Sequence, residues 1–219
     1  MTQTQSQGFL ALPPDGSAPG ILVLHPWWGL NETIKSFCTR LSQAGFVTYA
    51  PDLYHGRLAV TIPEAESLSN ALEVKSARAD IDAAAALLDQ QAAKTGQGLA
   101  VIGFSLGAFF ALDLSIRHPD LFKTVVVYYG TGPGDFSASK ASYLGHFAEN
   151  DPYEPESNIS YLETALRTAG RPATFHRYPG TGHWFCEPDR TDAYNPAAAA
   201  LAWDRTLAFL KNAFSAGPK

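Results

Sequence analysis

The sequence carries the stretch LAVIGFSLG at residues 99–107, and this stretch decides the fold class. Its first four residues are apolar, as in a buried β-strand, and residues 108–117 have the pattern of a helix. Between them, residues 103–107 match G-x-S-x-G, the nucleophile-elbow pattern at a strand-to-helix corner. Glycines on both sides of Ser105 allow the strand and the helix to approach closely. We therefore predict that Ser105 is a nucleophile on a strained turn; the alternative is an ordinary tight turn.

The composition fits a globular protein with a full core. Of the 219 residues, 46% are apolar and 17% are charged, which argues against long disorder. The net charge is −5 and no basic run occurs, so neither nucleic acid nor an anionic membrane surface is an expected partner. No apolar stretch reaches the roughly 18 residues that a membrane-spanning helix requires.

The start of the chain and its cysteines bear on the compartment. The start MTQTQSQGF has neither the basic nor the apolar part of a signal peptide, so we expect a cytoplasmic protein. Separately, we expect a monomer or small homo-oligomer. Cys38 and Cys186 cannot form a disulfide framework, and no Cys/His spacing indicates a metal. Cys38 falls on the apolar face of a predicted helix. Cys186 is interpreted as a buried structural thiol, with a position facing the pocket as the alternative.

Strand-like and helix-like runs alternate along the whole chain. This favours a doubly wound, mostly parallel sheet of about seven strands with helices on both faces, in a single domain of residues 1–219. The predicted strands are 9–12, 21–25, 46–50, 99–104, 124–129, 142–148 and 173–178.

Several helix boundaries are readable between these strands. Asn31 is the predicted cap of a helix that ends at Gly45, a second helix spans about 71–94, and the last begins near Asn195. Residues 54–63 are predicted to form an irregular loop. The face of the last helix that should pack on the sheet consists of Trp203, Leu207, Leu210 and Phe214.

A serine hydroxyl becomes an effective nucleophile when a base takes its proton and a third group orients that base. With an elbow of this kind the chain order is Ser, then Asp or Glu, then His. His183 lies in a glycine-rich loop after the last strand, at the sheet edge where ligands collect, so it is the predicted base. His146 and His176 lie inside predicted strands and are interpreted as structural.

Asp151 is the predicted orienting acid, because it lies where strand 142–148 leaves the sheet and precedes Pro152. Glu149 is the alternative acid, two residues earlier. The alternative role for Asp151 is that of a helix cap.

Two backbone N–H groups are expected to form an oxyanion hole. One is that of Leu106, placed by the elbow. The other is that of Trp27 in the loop after an early strand, since Pro26 has no N–H. Candidate pocket residues are Trp28, Tyr129 and Trp184, with a role as core aromatics as the alternative.

Six segments occur together in the order typical of one family: HPWWGLN at 25–31, APDLY at 50–54, GFSLG at 103–107, YYG at 128–130, ENDP at 149–152 and GTGH at 180–183. With them the chain resembles the dienelactone hydrolase family of the α/β-hydrolase superfamily, over about residues 8–211. The resemblance implies a compact hydrolase that cleaves esters or lactones through an acyl-enzyme, without a cofactor or metal.

Three positions depart from the family pattern. The namesake enzymes have cysteine where this chain has Ser105, and glutamate where it has Pro26. They have arginine for the substrate carboxylate where it has Glu187, which we expect to repel an anion. Other residues that could bind an acidic substrate are Arg57, Arg177 and Arg190.

The sequence thus favours a serine hydrolase of small to medium carboxylic esters or lactones. A first alternative keeps the same three residues but acts on an amide or short peptide. A second is a non-catalytic scaffold of this fold that binds a small molecule, because fold does not by itself establish function.

Overall fold

Strands and helices alternate through the computed structural model, which describes residues 8–14, 16, 18–93 and 98–215. The described residues contain seven β-strands, six α-helices and a short 3₁₀ helix at Phe136–Ala138. Internal contacts divide the chain into two compact units, Met1–Lys94 and Thr95–Lys219. The expectation of a single domain stays a prediction.

The first unit is a short mixed sheet with three helices. Its elements are β1 (Gly8–Ala11), β2 (Gly20–Leu24), α1 (Glu32–Gln43), β3 (Val47–Pro51), α2 (Ile62–Asn70) and α3 (Val74–Gln91). β3 pairs with β1 antiparallel and with β2 parallel. Every residue of β2 and β3 is buried, as is typical of strands that helices cover. Here α1 and α3 provide that cover.

The second unit is a fully parallel sheet in the order β4-β5-β6-β7. Its elements are β4 (Leu99–Phe104), α4 (Leu106–Arg117), β5 (Phe122–Tyr128), β6 (Ser142–Ala148), α5 (Glu156–Thr168), β7 (Ala173–Tyr178) and α6 (Pro196–Ser215). α4 packs on β4 and β5, α6 on β5 and β6, and α5 on β7. Because parallel strands end at the same edge, the loops that follow β4, β5, β6 and β7 lie on one side of this sheet.

The predicted strands agree with the observed ones to within two residues at each end. The predicted start and end of α1 are confirmed as well. Asn31 Oδ1 accepts a hydrogen bond from Ile34 N at 3.1 Å, and Gly45 after the helix has φ +96°.

The expectation of an irregular loop over residues 54–63 is wrong at its C-terminal end, because α2 begins at Ile62. Thr61 and Glu64 form a capping box there: the Thr61 hydroxyl accepts from Glu64 N, and Glu64 Oε2 accepts from Thr61 N at 3.0 Å. The next helix, α3, begins at Val74 rather than near residue 71. Its predicted end, residue 94, lies outside the described residues.

The predicted inner face of α6 is also partly wrong. The buried residues are Ala202, Thr206 and Leu210, and of the four predicted residues only Leu210 is among them. Thr206 faces inward because its hydroxyl hydrogen-bonds the Tyr128 hydroxyl at 2.7 Å and His146 Nε2 at 2.9 Å. A polar side chain can occupy the core when its partners lie there too.

Candidate active site

Ser105 stands at a strained turn between β4 and α4. Its φ of +49° and ψ of −111° are unusual for a residue with a side chain. Glycine is required at position 103, two residues before Ser105, since a Cβ there would collide with the backbone of Gly107 and Ala108. Gly130 after β5 is required as well, because its Cβ would lie 2.6 Å from Ser105 O. The strand-to-helix corner predicted from the sequence is therefore present.

The turn leaves the Ser105 side chain at the carboxyl edge of the sheet and makes Leu106 the first residue of α4. An N–H in the first turn of a helix has no acceptor within that helix, and the helix dipole makes this end positive. The Leu106 amide thus has the character that an oxyanion donor needs. Its participation in catalysis stays a prediction.

A chain of two hydrogen bonds joins the three side chains that the sequence singled out. Ser105 Oγ lies 2.9 Å from His183 Nε2, and His183 Nδ1 lies 2.7 Å from Asp151 Oδ2. The side chains of His183 and Asp151 are only 4% and 2% exposed. A carboxylate can only accept, so the proton between His183 and Asp151 belongs to Nδ1, which leaves Nε2 to accept from the serine hydroxyl.

Asp151 is held in place by its other oxygen. Oδ1 accepts from Tyr153 N at 2.9 Å and from Glu154 N at 3.0 Å, which fixes the carboxylate at the exit of β6. The alternative role of Asp151 as a helix cap is wrong, because α5 begins at Glu156 with Pro155 at the cap position.

Glu149, the alternative acid, bonds elsewhere. Its Oε2 accepts from Gly180 N at 2.8 Å, and the neighbouring Asn150 N donates to Thr181 O at 3.0 Å. These bonds tie the exit of β6 to the loop that carries His183. Glu149 therefore stabilises the loop that carries His183 and does not bind the imidazole.

Aromatic rings surround the His183 imidazole. The ring centroids of Tyr129, Tyr153 and Trp184 lie 5.0, 5.1 and 5.1 Å from it. Tyr129 and Trp184 are buried, whereas Tyr153 is 43% exposed. Tyr153 was missed from the sequence, although an aromatic residue two positions after a candidate acid is a readable signal. Whether Trp184 or Tyr129 contacts substrate stays a prediction.

The predicted second oxyanion donor lies in the first unit. Residues 26–29 form a tight turn in which Gly29 N donates to Pro26 O at 3.1 Å. Trp28 is buried, and its carbonyl accepts from Ala59 N at 3.1 Å. The role of the Trp27 amide as an oxyanion donor and that of Trp28 as a pocket residue stay predictions.

Glu187 does not behave as expected from the sequence. It is fully buried and accepts a 2.8 Å hydrogen bond from the Tyr129 hydroxyl. Burial raises its pKa to about 8, against an opposing effect of the bond from Tyr129. This shift favours the uncharged form at neutral pH. Its burial and this shift argue against repulsion of an anionic substrate, and the expected repulsion stays a prediction.

The remaining charged and sulfur-containing candidates have local partners or are half-buried. Arg177 pairs with Glu156 and Glu163, and Arg190 with Asp189. Cys186 is a half-buried free thiol whose pKa burial raises well above its usual value, so its sulfur is a poor nucleophile.

The described part of the chain has neither a group of metal-binding side chains nor a membrane-spanning helix. In residues 8–14, 16, 18–93 and 98–215, no three His, Cys, Asp or Glu side chains are grouped so as to hold a metal ion. Within the same residues, no helix is both long and apolar enough to span a membrane.

A serine at a strained elbow, bonded to a histidine and through it to an aspartate in the chain order Ser, Asp, His, is the arrangement of the α/β hydrolases. This chain has the α/β-hydrolase fold. A solved structure described as an alpha/beta hydrolase enzyme, MGS-M1 from a Medee basin deep-sea metagenome library, has the same fold. It has a TM-score of 0.72 at 14% identity, over 97% of this chain and 95% of that one.

Within that class the family is defined by sequence. The chain belongs to the dienelactone hydrolase family, whose family model matches residues 6–214. A Bradyrhizobium protein named "probable 2-oxo-3-(5-oxofuran-2-ylidene)propanoate lactonase" is 30% identical, with 93% of this chain and 88% of that protein covered. A solved structure named m3DLH has a TM-score of 0.84 and 25% identity, over 95% of this chain and 92% of that one. The predicted family is thus confirmed.

Proposed function

We propose that this chain is a serine hydrolase that cleaves carboxylic ester or lactone bonds of small to medium substrates through an acyl-enzyme. One observation carries the proposal: the partly buried hydrogen-bond chain from Ser105 through His183 to Asp151, with lengths of 2.9 and 2.7 Å. Membership of the dienelactone hydrolase family supports the reaction class.

In the proposed reaction His183 Nε2 takes the Ser105 proton as Oγ attacks the substrate carbonyl carbon. Asp151 holds the imidazole in the correct tautomer and stabilises the imidazolium that forms. The tetrahedral intermediate collapses when His183 gives its proton to the leaving alkoxide, which leaves an ester on Ser105. His183 then activates water, which releases the acid and regenerates Ser105. For a lactone the alkoxide and the acid are parts of one product.

The negative charge on the carbonyl oxygen needs donors during both steps. We assign this role to the amides of Leu106 and Trp27. The proposal for Leu106 rests on its place at the start of α4, and that for Trp27 on its place after Pro26 and on the family resemblance. Each such donor is typically worth about 3 kcal/mol of transition-state stabilisation.

The proposed substrate class rests on the named relative and on three positions that depart from the family pattern. The relative named as a lactonase supports lactones as one substrate type. Ser105, Pro26 and the buried Glu187 stand where the namesake enzymes have their cysteine, glutamate and arginine, which points away from dienelactone itself and towards a general esterase. The proposal extends to a cytoplasmic protein that is a monomer or small homo-oligomer.

The test compares the wild type with Ser105→Ala on short p-nitrophenyl esters. We expect kcat/KM to fall by ~10³-fold or more, because no other group can form the acyl-enzyme. Ser160→Ala, an exposed serine on α5, is the matched control and should retain full activity. A fluorophosphonate probe should label the wild type and not Ser105→Ala. Wild-type turnover by Ser105→Ala would overturn the proposal.

The two alternative functions separate in further assays. A panel of esters, lactones and peptidyl amides compared by kcat/KM distinguishes an esterase from an amidase with the same three residues. A binding-only scaffold would give neither turnover nor fluorophosphonate labelling of Ser105.

A further inference from the structure

Tyr129 is placed against the two side chains that the proposed reaction uses. It follows β5 directly with φ +37°, a left-handed conformation that is strained for a residue with a side chain. Its backbone N–H donates to His146 O at 2.7 Å, and the next residue, Gly130, approaches the Ser105 backbone. Its buried ring lies 5.0 Å from the His183 imidazole at an angle of 60°. The fold thus holds this ring against one side of the proposed base.

Glu187 lies at the hydroxyl end of the Tyr129 side chain. It follows His183 by four residues, is 0% exposed, and its Oε1 accepts from the Tyr129 hydroxyl at 2.8 Å. Its Oε2 is equally buried, and no group of the described residues donates to it. A buried carboxylate with a single donor is costly, because most of its hydration is lost and not replaced. The same group as an uncharged acid avoids most of this cost.

We propose that Glu187 and Tyr129 are positioning residues for His183: the Glu187 carboxyl group fixes the phenol, and the Tyr129 ring fixes the orientation of the imidazole. Neither group exchanges a proton with the substrate. The inference rests on the proposed role of His183 as the base.

The surroundings of Glu187 support its uncharged form. Burial is the main cause that raises its pKa to about 8, the bond from Tyr129 lowers it, Asp189 raises it and Arg190 lowers it. Burial also raises the pKa of the Tyr129 phenol well above its usual value, and Glu187 adds to this effect. The other ionisable neighbours of the pair are Tyr128, Cys186 and His183.

Ionisation of Glu187 should therefore weaken the support that the Tyr129 ring gives to the His183 imidazole. Above about pH 8 the carboxylate accepts more strongly from Tyr129, but its Oε2 is then charged and buried without a donor among the described residues, so we expect the side chain to move towards water. A shift of the side chain towards water removes the acceptor from Tyr129, and the imidazole loses its support on that side. We expect kcat/KM of the wild type to fall above this pH with KM little changed, because the loss affects the base and not substrate binding.

The test is the dependence of kcat/KM on pH between 6 and 10 for a neutral p-nitrophenyl ester. Glu187→Gln should lack the alkaline fall, because glutamine does not ionise. Tyr129→Phe should lower kcat by roughly tenfold at pH 7 and should also lack the alkaline fall, since the bond that ionisation of Glu187 would break is already gone. Glu187→Gln should lower kcat less than Tyr129→Phe, because the glutamine oxygen can still accept from the phenol.

Cys186→Ala is the matched control in the same loop. It should keep the alkaline fall of the wild type, because burial raises the pKa of this thiol well above the range of the test. Fluorophosphonate titration gives the concentration of intact sites in each variant, so partial misfolding is corrected for.

An alkaline fall that persists unchanged in Glu187→Gln would overturn the inference. A Tyr129→Phe variant whose kcat/KM is lower than that of the wild type by the same factor at every pH would also overturn it, because a merely structural role predicts that result. A wild-type rate in Ser105→Ala would instead overturn the proposed function, so the two failures are distinguishable.

Discussion

Replacing Glu187 with glutamine should remove a pH-dependent loss of stability from this protein. The folded protein keeps the Glu187 proton up to about pH 8, whereas the unfolded chain releases it near the usual pKa of 4.5. Between these two values the folded state binds more protons than the unfolded state. The free energy of unfolding of the wild type therefore falls as the pH rises through this range, and the loss is complete above about pH 8.

The magnitude follows from the two pKa values. Each pKa unit corresponds to about 1.4 kcal/mol. A pKa displaced from 4.5 to about 8 thus lowers the free energy of unfolding by on the order of 5 kcal/mol between the acidic and the alkaline end. This is a large share of the ~5–15 kcal/mol that stabilises a typical domain. Burying the glutamine amide has its own cost, but that cost does not change with pH.

The assay is urea unfolding of the wild type and Glu187→Gln at pH 5, 7 and 9. We expect the free energy of unfolding of the variant minus that of the wild type to rise by on the order of 4 kcal/mol from pH 5 to pH 9. Glu66→Gln, which removes an exposed carboxyl group on α2, is the control and should change stability little at each pH.

A constant difference between Glu187→Gln and the wild type across this pH range would refute the reasoning. It would mean that Glu187 releases its proton in the folded protein near the same pH as in the unfolded chain. The uncharged acid behind His183 would then not exist at neutral pH.

Two further predictions concern the acid and the core. Asp151→Asn should lower kcat by about 10³- to 10⁴-fold with little change in KM, because an amide no longer selects the tautomer of His183. Steady-state kinetics would contradict this if Glu149→Gln lost more activity than Asp151→Asn. His146→Gln should make stability less sensitive to acid: burial holds the pKa of His146 well below 6.5, so the wild type loses stability as the pH falls below that value. Urea unfolding at pH 5 and 7 tests this, and an equal loss in both proteins would contradict it.

Local patterns in the sequence were sufficient for much of the fold. Apolar runs predicted the strands because β2, β3 and β4 are buried along their whole length, and most residues that fit there are apolar. The elbow was readable because its pattern lies within residues 103–107, where Gly103 prevents a collision with Gly107, although Gly130 is needed next to Ser105 as well.

The errors arose where tertiary partners outweigh the apolar pattern. The inner face of α6 was misplaced because Thr206 is polar, yet it is buried against the hydroxyl of Tyr128 and the imidazole of His146. α2 was missed because its apolar pattern is weak, although its capping box could have been read at Thr61 and Glu64.

For the site, the sequence by itself determined the fold family, the strained serine and the order in which Ser105, Asp151 and His183 follow one another. This order can be read from the sequence directly, because each of the three residues follows a predicted strand. Only the tertiary structure decided that Asp151 rather than Glu149 reaches the imidazole, and that Glu187 is fully buried, which raises its pKa. Both depend on how residues far apart in sequence are placed relative to one another. Burial raises the pKa of an acid when the residues around it in space exclude water, and these are not its neighbours in the chain.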